Sequence, residues 1–268
     1  MSKLNVVSWN VGKRRLAIES LYKSDFDIAL IQEAPLASKS WEARHVDRGA
    51  DILNLSDRAK VVNLTNIPHG RRPNHDEIST SAPGTIAVAR VTPGDDEPIL
   101  VVSLYARWEK PHPQTPTNWY VGYADAMAHR AISDLSALIG HTDPRSHRIL
   151  VAGDFNLIHG ALDSNPLALP ARDRSVFTRL DSLGFEFLGP QFPNGRRAVP
   201  LPQGLPENTG NVPTYYTTHQ EPSTAANQLD YVFASRGFHE SISTHALNGD
   251  EEWGLSDHCQ IRIVVDLG

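Results

Sequence analysis

The stretch LNVVSWNVGKRRLAIESLYKSDFDIALIQE, residues 4–33, decides the fold class. Its two short apolar runs, residues 4–9 and 28–32, predict buried strands. Between them, residues 14–23 carry apolar side chains at the spacing of a short helix, so the stretch predicts a β-α-β unit. In a right-handed unit of this kind the two strands are parallel neighbours. The sequence therefore predicts an α/β fold.

Working outward from this unit, the rest of the chain continues the alternation. Further apolar runs rich in β-branched residues predict strands at residues 85–89, 99–104, 149–152, 229–234 and 260–265. Helical periodicity predicts helices at residues 120–139 and 175–183, with Gly184 ending the second one. Consecutive strands around residues 85–104 favour hairpins, so we expect mixed sheets.

Two segments rich in Pro, Gly and Asn interrupt this pattern. Residues 67–84 and 189–213 predict long loops without secondary structure, and such loops in a compact domain are usually functional or mobile. The sequence contains no repeat and no low-complexity linker. We therefore predict a single domain over residues 1–268.

The composition is that of a globular protein, with 40% hydrophobic and 21% charged residues among 268. The single cysteine, Cys259, excludes an internal disulfide and a cysteine-rich zinc site. The apolar runs fall short of the roughly 18 residues of a membrane span, and strand-like alternation from Leu4 onward leaves no secretory leader, so a cytoplasmic location is expected. The net charge of −6 does not favour nucleic acid, although arginine pairs such as Arg14–Arg15 could form local basic patches.

Polar residues stand where two of the predicted strands end. Asn10 follows residues 4–9 and Glu33 follows residues 28–32. Because parallel neighbours end at the same edge of a sheet, both side chains should emerge there, and open α/β sheets bind their ligands at that edge. A lone Asn in such a place is usually a turn residue and a lone Glu is usually solvated, so the pair is a modest signal.

The segment Gly153-Asp154-Phe155-Asn156 follows another predicted strand. An Asp and an Asn two residues apart at a strand end can face the same side. Asp154 could hold or deprotonate a water, while the amide of Asn156 could donate to a developing oxyanion. An ordinary Asx turn explains the same pattern about as well.

Asp257 and His258 precede the last predicted strand. Histidine has the side-chain pKa nearest neutrality, and a carboxylate beside it fixes its tautomer. Adjacent residues on an extended chain point in opposite directions, so Asp230, a charged residue within an apolar run, is the better candidate to orient His258. Together with Glu33, these carboxylates describe an oxygen-rich site, which favours Mg²⁺, Mn²⁺ or Ca²⁺ over zinc.

Short motifs then occur in one order along nearly the whole chain. They are SWN (residues 8–10), QE (32–33), SLYAR (103–107), GDFN (153–156), LDY (229–231) and SDH (256–258). In these motifs and their order the chain resembles the endonuclease/exonuclease/phosphatase superfamily. The resemblance implies a four-layered α/β/β/α sandwich with two mixed β-sheets and a site at one end of the packed sheets.

The resemblance also implies a metal site for Mg²⁺ or Mn²⁺. Glu33 would bind the metal directly, with Asn10 and Asp257 close to it. Many nucleases of this superfamily carry an Asp two residues after the first-motif Asn, but this chain has Gly12 there. The departure favours a single metal, or a water in the place of the missing ligand.

The remaining motif residues receive catalytic roles from the resemblance. Asp154 would position or deprotonate the attacking water, and Asn156 and His258 would stabilise the pentacovalent phosphorane. Asp230 would orient His258, and Tyr105 would contact the phosphate. Whether Asp154 or His258 is the general base stays open.

The family does not fix the substrate, because its members share a core and differ in their loops. Arg107 could clamp a second phosphate and Trp108 could stack on a base, with Trp119, Tyr215 and Tyr216 extending that platform. No amphipathic basic helix suggests a membrane surface. We predict a nuclease acting on DNA or another nucleic acid. The alternatives are an enzyme acting on a small soluble phosphate ester and, in a different class, a non-catalytic binding module.

Overall fold

The computed structural model of the protein describes residues 3–37, 40–94, 96–117, 122–217 and 219–268. The described chain contains thirteen strands and three α-helices, with long runs of consecutive strands. They are β1 (Lys3–Asn10), α1 (Arg15–Leu21), β2 (Ile28–Pro35), β3 (Arg48–Asn54), β4 (Ala59–Asn63), β5 (Thr65–Pro68), β6 (Glu77–Thr80), β7 (Ile86–Pro93), β8 (Ile99–Tyr105), α2 (Asp125–Ile139), β9 (Ile149–Asp154), α3 (Pro170–Ser182), β10 (Phe185–Gly189), β11 (Asp230–Ser235), β12 (Ile242–Leu247) and β13 (Gln260–Asp266). Short 3₁₀ turns lie at Glu42–Arg44, Pro144–Ser146, Pro222–Thr224 and Phe238–Ser241.

Two large sheets form the centre of the fold. The first has five strands in the order β12-β13-β1-β2-β3, and the second has six in the order β10-β11-β9-β8-β7-β4. In the first sheet β1 and β2 are parallel, and in the second β8 and β9 are parallel, while the other neighbours are antiparallel. Both sheets are therefore mixed, as the sequence predicts.

The two sheets pack face to face, and helices cover their outer faces. Apolar side chains of both sheets, such as Val6 and Val101, fill one core between them. Helix α1 covers the outer face of the first sheet with Ala17. Helices α2 and α3 cover the outer face of the second sheet with Ile132 and Leu180. The predicted four-layered α/β/β/α sandwich is confirmed.

Within the two large sheets, the strands that the sequence patterns miss are all edge strands. They are β3, β4, β10 and β12, the four edge strands of these sheets. An edge strand buries less of its surface and carries polar or charged residues that discourage aggregation. Strand β12 shows this, since its burial alternates and His245 is exposed. Continuous apolar runs therefore mark only the inner strands.

Other expectations need correction. Residues 67–84 are not without secondary structure, because β5 and β6 pair in parallel through Thr65–Pro68 and Glu77–Thr80. The helix expected from residue 120 begins at Asp125, and residues 118–121, including Trp119, lie outside the described residues. Helix α3 begins five residues earlier than expected, because Pro170 suits the first turn of a helix. None of the described helices is long and apolar enough to cross a membrane.

Candidate active site

The parallel strand pairs of both sheets bring the candidate residues to one end of the sandwich. In the first sheet Asn10, the last residue of β1, lies opposite Gln32 of β2. In the second sheet Asp154, the last residue of β9, lies between Tyr105 of β8 and Asp230 of β11. A cleft of about 480 Å³ opens at this end, within the range of about 300–1,000 Å³ typical of ligand sites. Its lining includes Glu33, Asp154, Asn156, Asp257 and His258.

A buried histidine–aspartate pair lies on one side of this cleft. The Nδ1 atom of His258 donates to Oδ2 of Asp230 at 2.8 Å. Thr214, which the sequence patterns did not single out, accepts at Oγ1 from the backbone N–H of Leu229 (2.9 Å) and of Asp230 (3.2 Å). Its hydroxyl proton is therefore directed to Oδ2 of Asp230, at 2.7 Å. Two donors thus hold one carboxylate oxygen, which leaves Nε2 of His258 toward the cleft.

Asp154 is held by three hydrogen bonds. Its Oδ1 accepts from the backbone N–H of Asn156 at 2.9 Å. Its Oδ2 accepts from the amides of Asn10 (2.8 Å) and Asn156 (2.9 Å). The glycine before it is needed for space, since a Cβ at Gly153 would lie 1.9 Å from the carbonyl oxygen of Leu104. The G-D-x-N motif therefore reflects strand packing as well as chemistry.

The amide of Asn156 does not point a free proton into the cleft. Its Nδ2 donates to Asp154 and also to the carbonyl oxygen of Ala106, at 3.1 Å. Both amide protons are used by these bonds. The arrangement makes Asn156 a support for Asp154, and donation to a phosphate, the role that the resemblance implies, would require one of these bonds to break.

Burial acts in opposite directions on the pKa values of Asp154 and His258, but both pKa values are raised. Burial lowers the pKa of His258, but the carboxylates of Asp230 and Asp154 outweigh burial and raise that pKa to about 9. Burial raises the pKa of Asp154 well above its usual range, against the opposing effect of His258. These carboxylates favour the protonated imidazole of His258, which can donate a proton from Nε2.

Glu33 lies on the other side of the cleft with looser contacts. Its Oε1 accepts from the hydroxyl of Tyr105 at 3.1 Å. Its Oε2 lies 4.0 Å from Nζ of Lys13 and 3.9 Å from Nη1 of Arg48, two residues that sequence reasoning missed. Burial and the Glu33 charge raise the pKa of Tyr105 far above its usual value, so its hydroxyl stays a donor.

Backbone strain is concentrated at this end of the fold. Within the described residues the non-glycine positions with positive φ are Lys13 (68°), Glu33 (54°) and Asn156 (50°). Left-handed conformations of this kind cost of order 1–3 kcal/mol each and cluster at functional sites. At Glu33 the strain accompanies a register shift between β2 and β3, so this residue departs from the regular alternation of side chains along the strand.

The loops around Asp257 explain the glycine at position 12. A Cβ at Gly12 would lie 2.9 Å from Oδ1 of Asp257, and its φ of 55° suits glycine. Among the described residues, the Asp257 carboxylate has one hydrogen-bonding neighbour, the Ser256 hydroxyl at 3.1 Å, which also lies 2.7 Å from the carbonyl oxygen of Asn10. The backbone N–H of Gly12 donates to Oδ1 of Asn10 at 2.9 Å. A carboxylate side chain at position 12 would therefore have to displace the Asp257 carboxylate and adopt a backbone conformation that favours glycine.

The donor atoms fit a hard divalent cation. In the described chain one set of three acidic or histidine side chains, Asp154, Asp230 and His258, has its ligand atoms within 4.8 Å of one another. These groups already bond to each other or to amides, so they suit proton handling better than metal binding. The carboxylates of Glu33 and Asp257 also line the cleft, and each keeps an oxygen that accepts no hydrogen bond from the described residues; carboxylate oxygens are the ligands that Mg²⁺ and Mn²⁺ prefer.

Of the residues expected to bind substrate, Trp108 and Tyr215 line the cleft, whereas Arg107 and Tyr216 are not among its lining residues. Arg107 is half-buried, and its Nε atom has no hydrogen-bond partner among the described residues. Trp108 is 40% exposed and lines the cleft. Tyr215 also lines it, with its ring 4.8 Å from that of His258. Tyr216 instead packs against Trp253, so it does not extend the platform.

A proton donor and an acceptor face open carboxylates across this cleft, an arrangement suited to hydrolysis at phosphorus beside a divalent cation. These features define a metal-dependent phosphoesterase. The Endonuclease/Exonuclease/phosphatase family model matches residues 7–258, and the chain belongs to that family. The protein is accordingly a hydrolase of phosphoester bonds.

Solved structures show the same fold at low sequence identity. An AP endonuclease from Leishmania major matches with a TM-score of 0.62 and 12% identity, over 98% of this chain and 88% of that one. The endonuclease domain of TRAS1, a telomere-specific non-LTR retrotransposon, matches with 0.60 and 18%, over 99% of each chain. The 3′-5′ exonuclease NExo from Neisseria meningitidis matches with 0.59 and 14%, over 98% and 100%. No curated protein sequence matches the chain.

Proposed function

We propose that the protein is a Mg²⁺- or Mn²⁺-dependent nuclease that hydrolyses phosphodiester bonds of nucleic acid, with DNA as the first candidate. The observation that carries this proposal is a set of incompletely paired cations, Lys13 and Arg48 beside Glu33 and Arg107 two residues after Tyr105. Arg107 has no hydrogen-bonded partner at its buried Nε among the described residues, and Lys13 and Arg48 approach Glu33 only at 4.0 and 3.9 Å. Such cations suit a strand that carries phosphates on both sides of the cleaved bond.

The proposed catalytic roles follow from the hydrogen bonds of Asp154, Asp230 and His258, which form what we call the acidic side of the cleft. Asp154 accepts the proton of the attacking water, because its amide donors orient it and burial raises its pKa. His258 donates from Nε2 to a phosphoryl oxygen as negative charge develops there. Asp230 orients the imidazole through Nδ1. This assignment makes Asp154 the base and His258 the acid.

The proposed metal binds on the opposite side. Glu33 and Asp257 supply carboxylate oxygens, and Tyr105 steadies Glu33 through its hydroxyl. When bound, the divalent cation neutralises charge on the phosphoryl and leaving oxygens. Asn10 supports the site indirectly, because its amide donates to Asp154.

Lys13, Arg48 and Arg107 are linked through shared acidic neighbours. Arg48 pairs with the carboxylate of Asp47 at 2.5 Å, and the same carboxylate opposes the lowering of the Arg107 pKa that burial causes. Arg107 and Arg48 therefore share one neighbour, and Arg48 and Lys13 share Glu33. A net charge of −6 makes this local group, rather than overall charge, the attraction for a phosphate chain. The solved neighbours named for endonuclease and exonuclease activity support a nucleic-acid substrate.

A small phosphate ester is the second candidate. The observation that favours it is the lining of the 480 Å³ cleft, which holds apolar side chains such as Leu167 and Leu229 and no Lys or Arg from the described residues. A compact ester with an apolar leaving group would fill such a cleft without needing the cations.

One assay separates the two candidates. Purified protein is incubated with Mg²⁺ or Mn²⁺ and, in parallel, supercoiled plasmid, single-stranded DNA, RNA and an aryl phosphate ester, with EDTA and Asp154→Asn as controls. We expect metal-dependent cleavage of a polymer that EDTA and Asp154→Asn both abolish. Turnover of the aryl ester with every polymer left intact would contradict the nuclease proposal and favour the second candidate.

A further inference from the structure

The active-site cleft does not end at the catalytic groups. A side groove of about 220 Å³ adjoins the cleft of about 480 Å³. The two depressions share the side chains of Pro166, Leu167, Tyr215, Thr217 and Asn227. Because Tyr215 also packs its ring 4.8 Å from that of His258, the groove begins beside the proton donor.

The chemistry of the groove differs from that of the cleft. Its lining carries no acidic or basic side chain from the described residues, whereas four amides line it: Asn165, Gln203, Gln220 and Asn227. Leu167 and the ring of Tyr215 add apolar surface. Such a lining does not select phosphate or metal. It suits a neutral, flat group with hydrogen-bonding edges.

Asn227 is the amide best placed to meet such a group. Its backbone carbonyl accepts from the N–H groups of Thr214 (2.9 Å) and Tyr215 (3.1 Å), which fixes its position. Its side-chain amide is half-buried and makes no hydrogen bond with any residue that the structure describes. The oxygens of Asn165 and Gln220, in contrast, accept from Leu167 and Thr217 at 2.8 and 2.9 Å. The Asn227 amide is absent from the buried unpaired polar atoms of the described residues, so it reaches solvent and is free to bond a ligand in the cleft.

We propose that this groove is a nucleobase subsite, in which Asn227 hydrogen-bonds the edge of one base and Tyr215 contacts its face. The proposal rests on the proposed nuclease function and names the part of the substrate that the site reads. Asparagine and glutamine amides match base edges, and stacking on an aromatic ring accepts any base. Lys13 and Arg48 beside Glu33, together with Arg107, then take the phosphates, and the uncharged groove takes the base.

A consequence concerns the form of the nucleic acid. A base that is stacked and paired in a duplex cannot place its edge in a groove beside its own phosphate without leaving the stack. The subsite therefore favours a nucleotide in a single strand, at a frayed end or turned out of a helix. Single-stranded DNA should be a better substrate than the same sequence in a perfect duplex.

The test uses substrates with one phosphodiester bond and a controlled number of bases. Four compounds are compared, each with two sugars joined by one phosphodiester. They carry a base on both sugars, on the 5′ sugar only, on the 3′ sugar only, or on neither. The quantity measured is kcat/KM with Mn²⁺, for the wild type, Asn227→Ala and the control Asn54→Ala. Asn54 is an exposed amide opposite Ile28, at the end of β2 remote from Glu33.

We expect the wild type to prefer a substrate with a base on one particular sugar over the baseless one by about tenfold or more. Asn227→Ala should shrink that ratio at least about fivefold, and Asn54→Ala should preserve it. Equal wild-type turnover of all four substrates would overturn the base subsite and leave the nuclease proposal standing. An equal loss on all four with Asn227→Ala would also overturn it. No turnover of these substrates or of any polymer would overturn the proposed function itself.

Discussion

The two sides of the active-site cleft are built in different ways. On the acidic side, Asp154 accepts three hydrogen bonds, and Asp230 holds His258 at 2.8 Å. On the other side, the nearest cations lie 3.9 and 4.0 Å from Glu33, and the Nε of Arg107 is unpaired among the described residues. One side is complete in the protein alone, and the other side leaves its groups open for ligands.

This difference shows how the site divides its work. Groups that move a proton need fixed geometry, since their effect depends on preorganised distances. Groups that bind a metal or a phosphate need free valences, and an unsatisfied buried donor costs about 1–3 kcal/mol until a ligand arrives. Substitutions on the two sides should therefore fail in different measurements, turnover on one side and ligand affinity on the other.

The largest effect is expected on the acidic side. His258→Gln should lower kcat by about 10²–10³, because it removes a cationic donor to the phosphoryl oxygen. Metal affinity measured by calorimetry should stay within about twofold of the wild type. His245→Gln, at an exposed position of β12, is the matched control and should keep its full turnover. If His258→Gln lost metal affinity by as large a factor as it loses kcat, the assignment of turnover to one side and ligand affinity to the other would be wrong.

Glu33→Gln tests the opposite side. Removing the charge of a direct ligand should weaken Mn²⁺ or Mg²⁺ binding by about tenfold or more, as measured by calorimetry without substrate. Glu97→Gln, an exposed acid before β8 at the far end of the second sheet, controls for the change in net charge. An unaltered metal titration in Glu33→Gln would show that the carboxylate is held for Lys13 and Arg48 and not for a metal.

The sequence predicts the inner fold and the acidic residues for the same reason. Buried strands need continuous apolar runs, so a polar residue at the end of such a run stands out, as Asn10 and Asp154 do. Edge strands such as β3 have no such run, so the sequence does not reveal the functional residues that they carry. Nothing in the sequence distinguishes Arg48, the first residue of β3, from an ordinary surface arginine. The pairing of β3 with β2 brings it to 3.9 Å from Glu33.

Thr214 and Asn227 were missed for a different reason. Both lie in loops without periodicity, so nothing local marks them. Thr214 becomes important through its contact with Asp230, 16 residues away, and Asn227 through a groove formed by four separate segments. Tyr215 could be named from its residue type, but its place beside His258 depends on the same loops. Contacts of this kind are properties of the folded chain and not of a sequence window.

The smallest effect concerns the support behind the acidic side. Thr214→Val should lower kcat by about fivefold and change KM little, because it removes one hydrogen bond worth roughly 1 kcal/mol from the Asp230 carboxylate. The His258 Nδ1 proton, observed by NMR, should shift or broaden as Asp230 loses its second donor. Both measurements address positioning, since the hydroxyl does not face the cleft.

Thr214→Ser separates the hydroxyl from the packing of the side chain. Serine keeps the donor to Asp230 and the acceptor for the N–H groups of Leu229 and Asp230, but it loses the methyl group in a fully buried place. It should therefore restore kcat and the Nδ1 resonance even if thermal unfolding shows a loss of stability from the missing methyl. If Thr214→Ser is as slow as Thr214→Val, packing around the loop, and not the hydroxyl, positions Asp230, and the acidic side is less complete than its hydrogen bonds indicate.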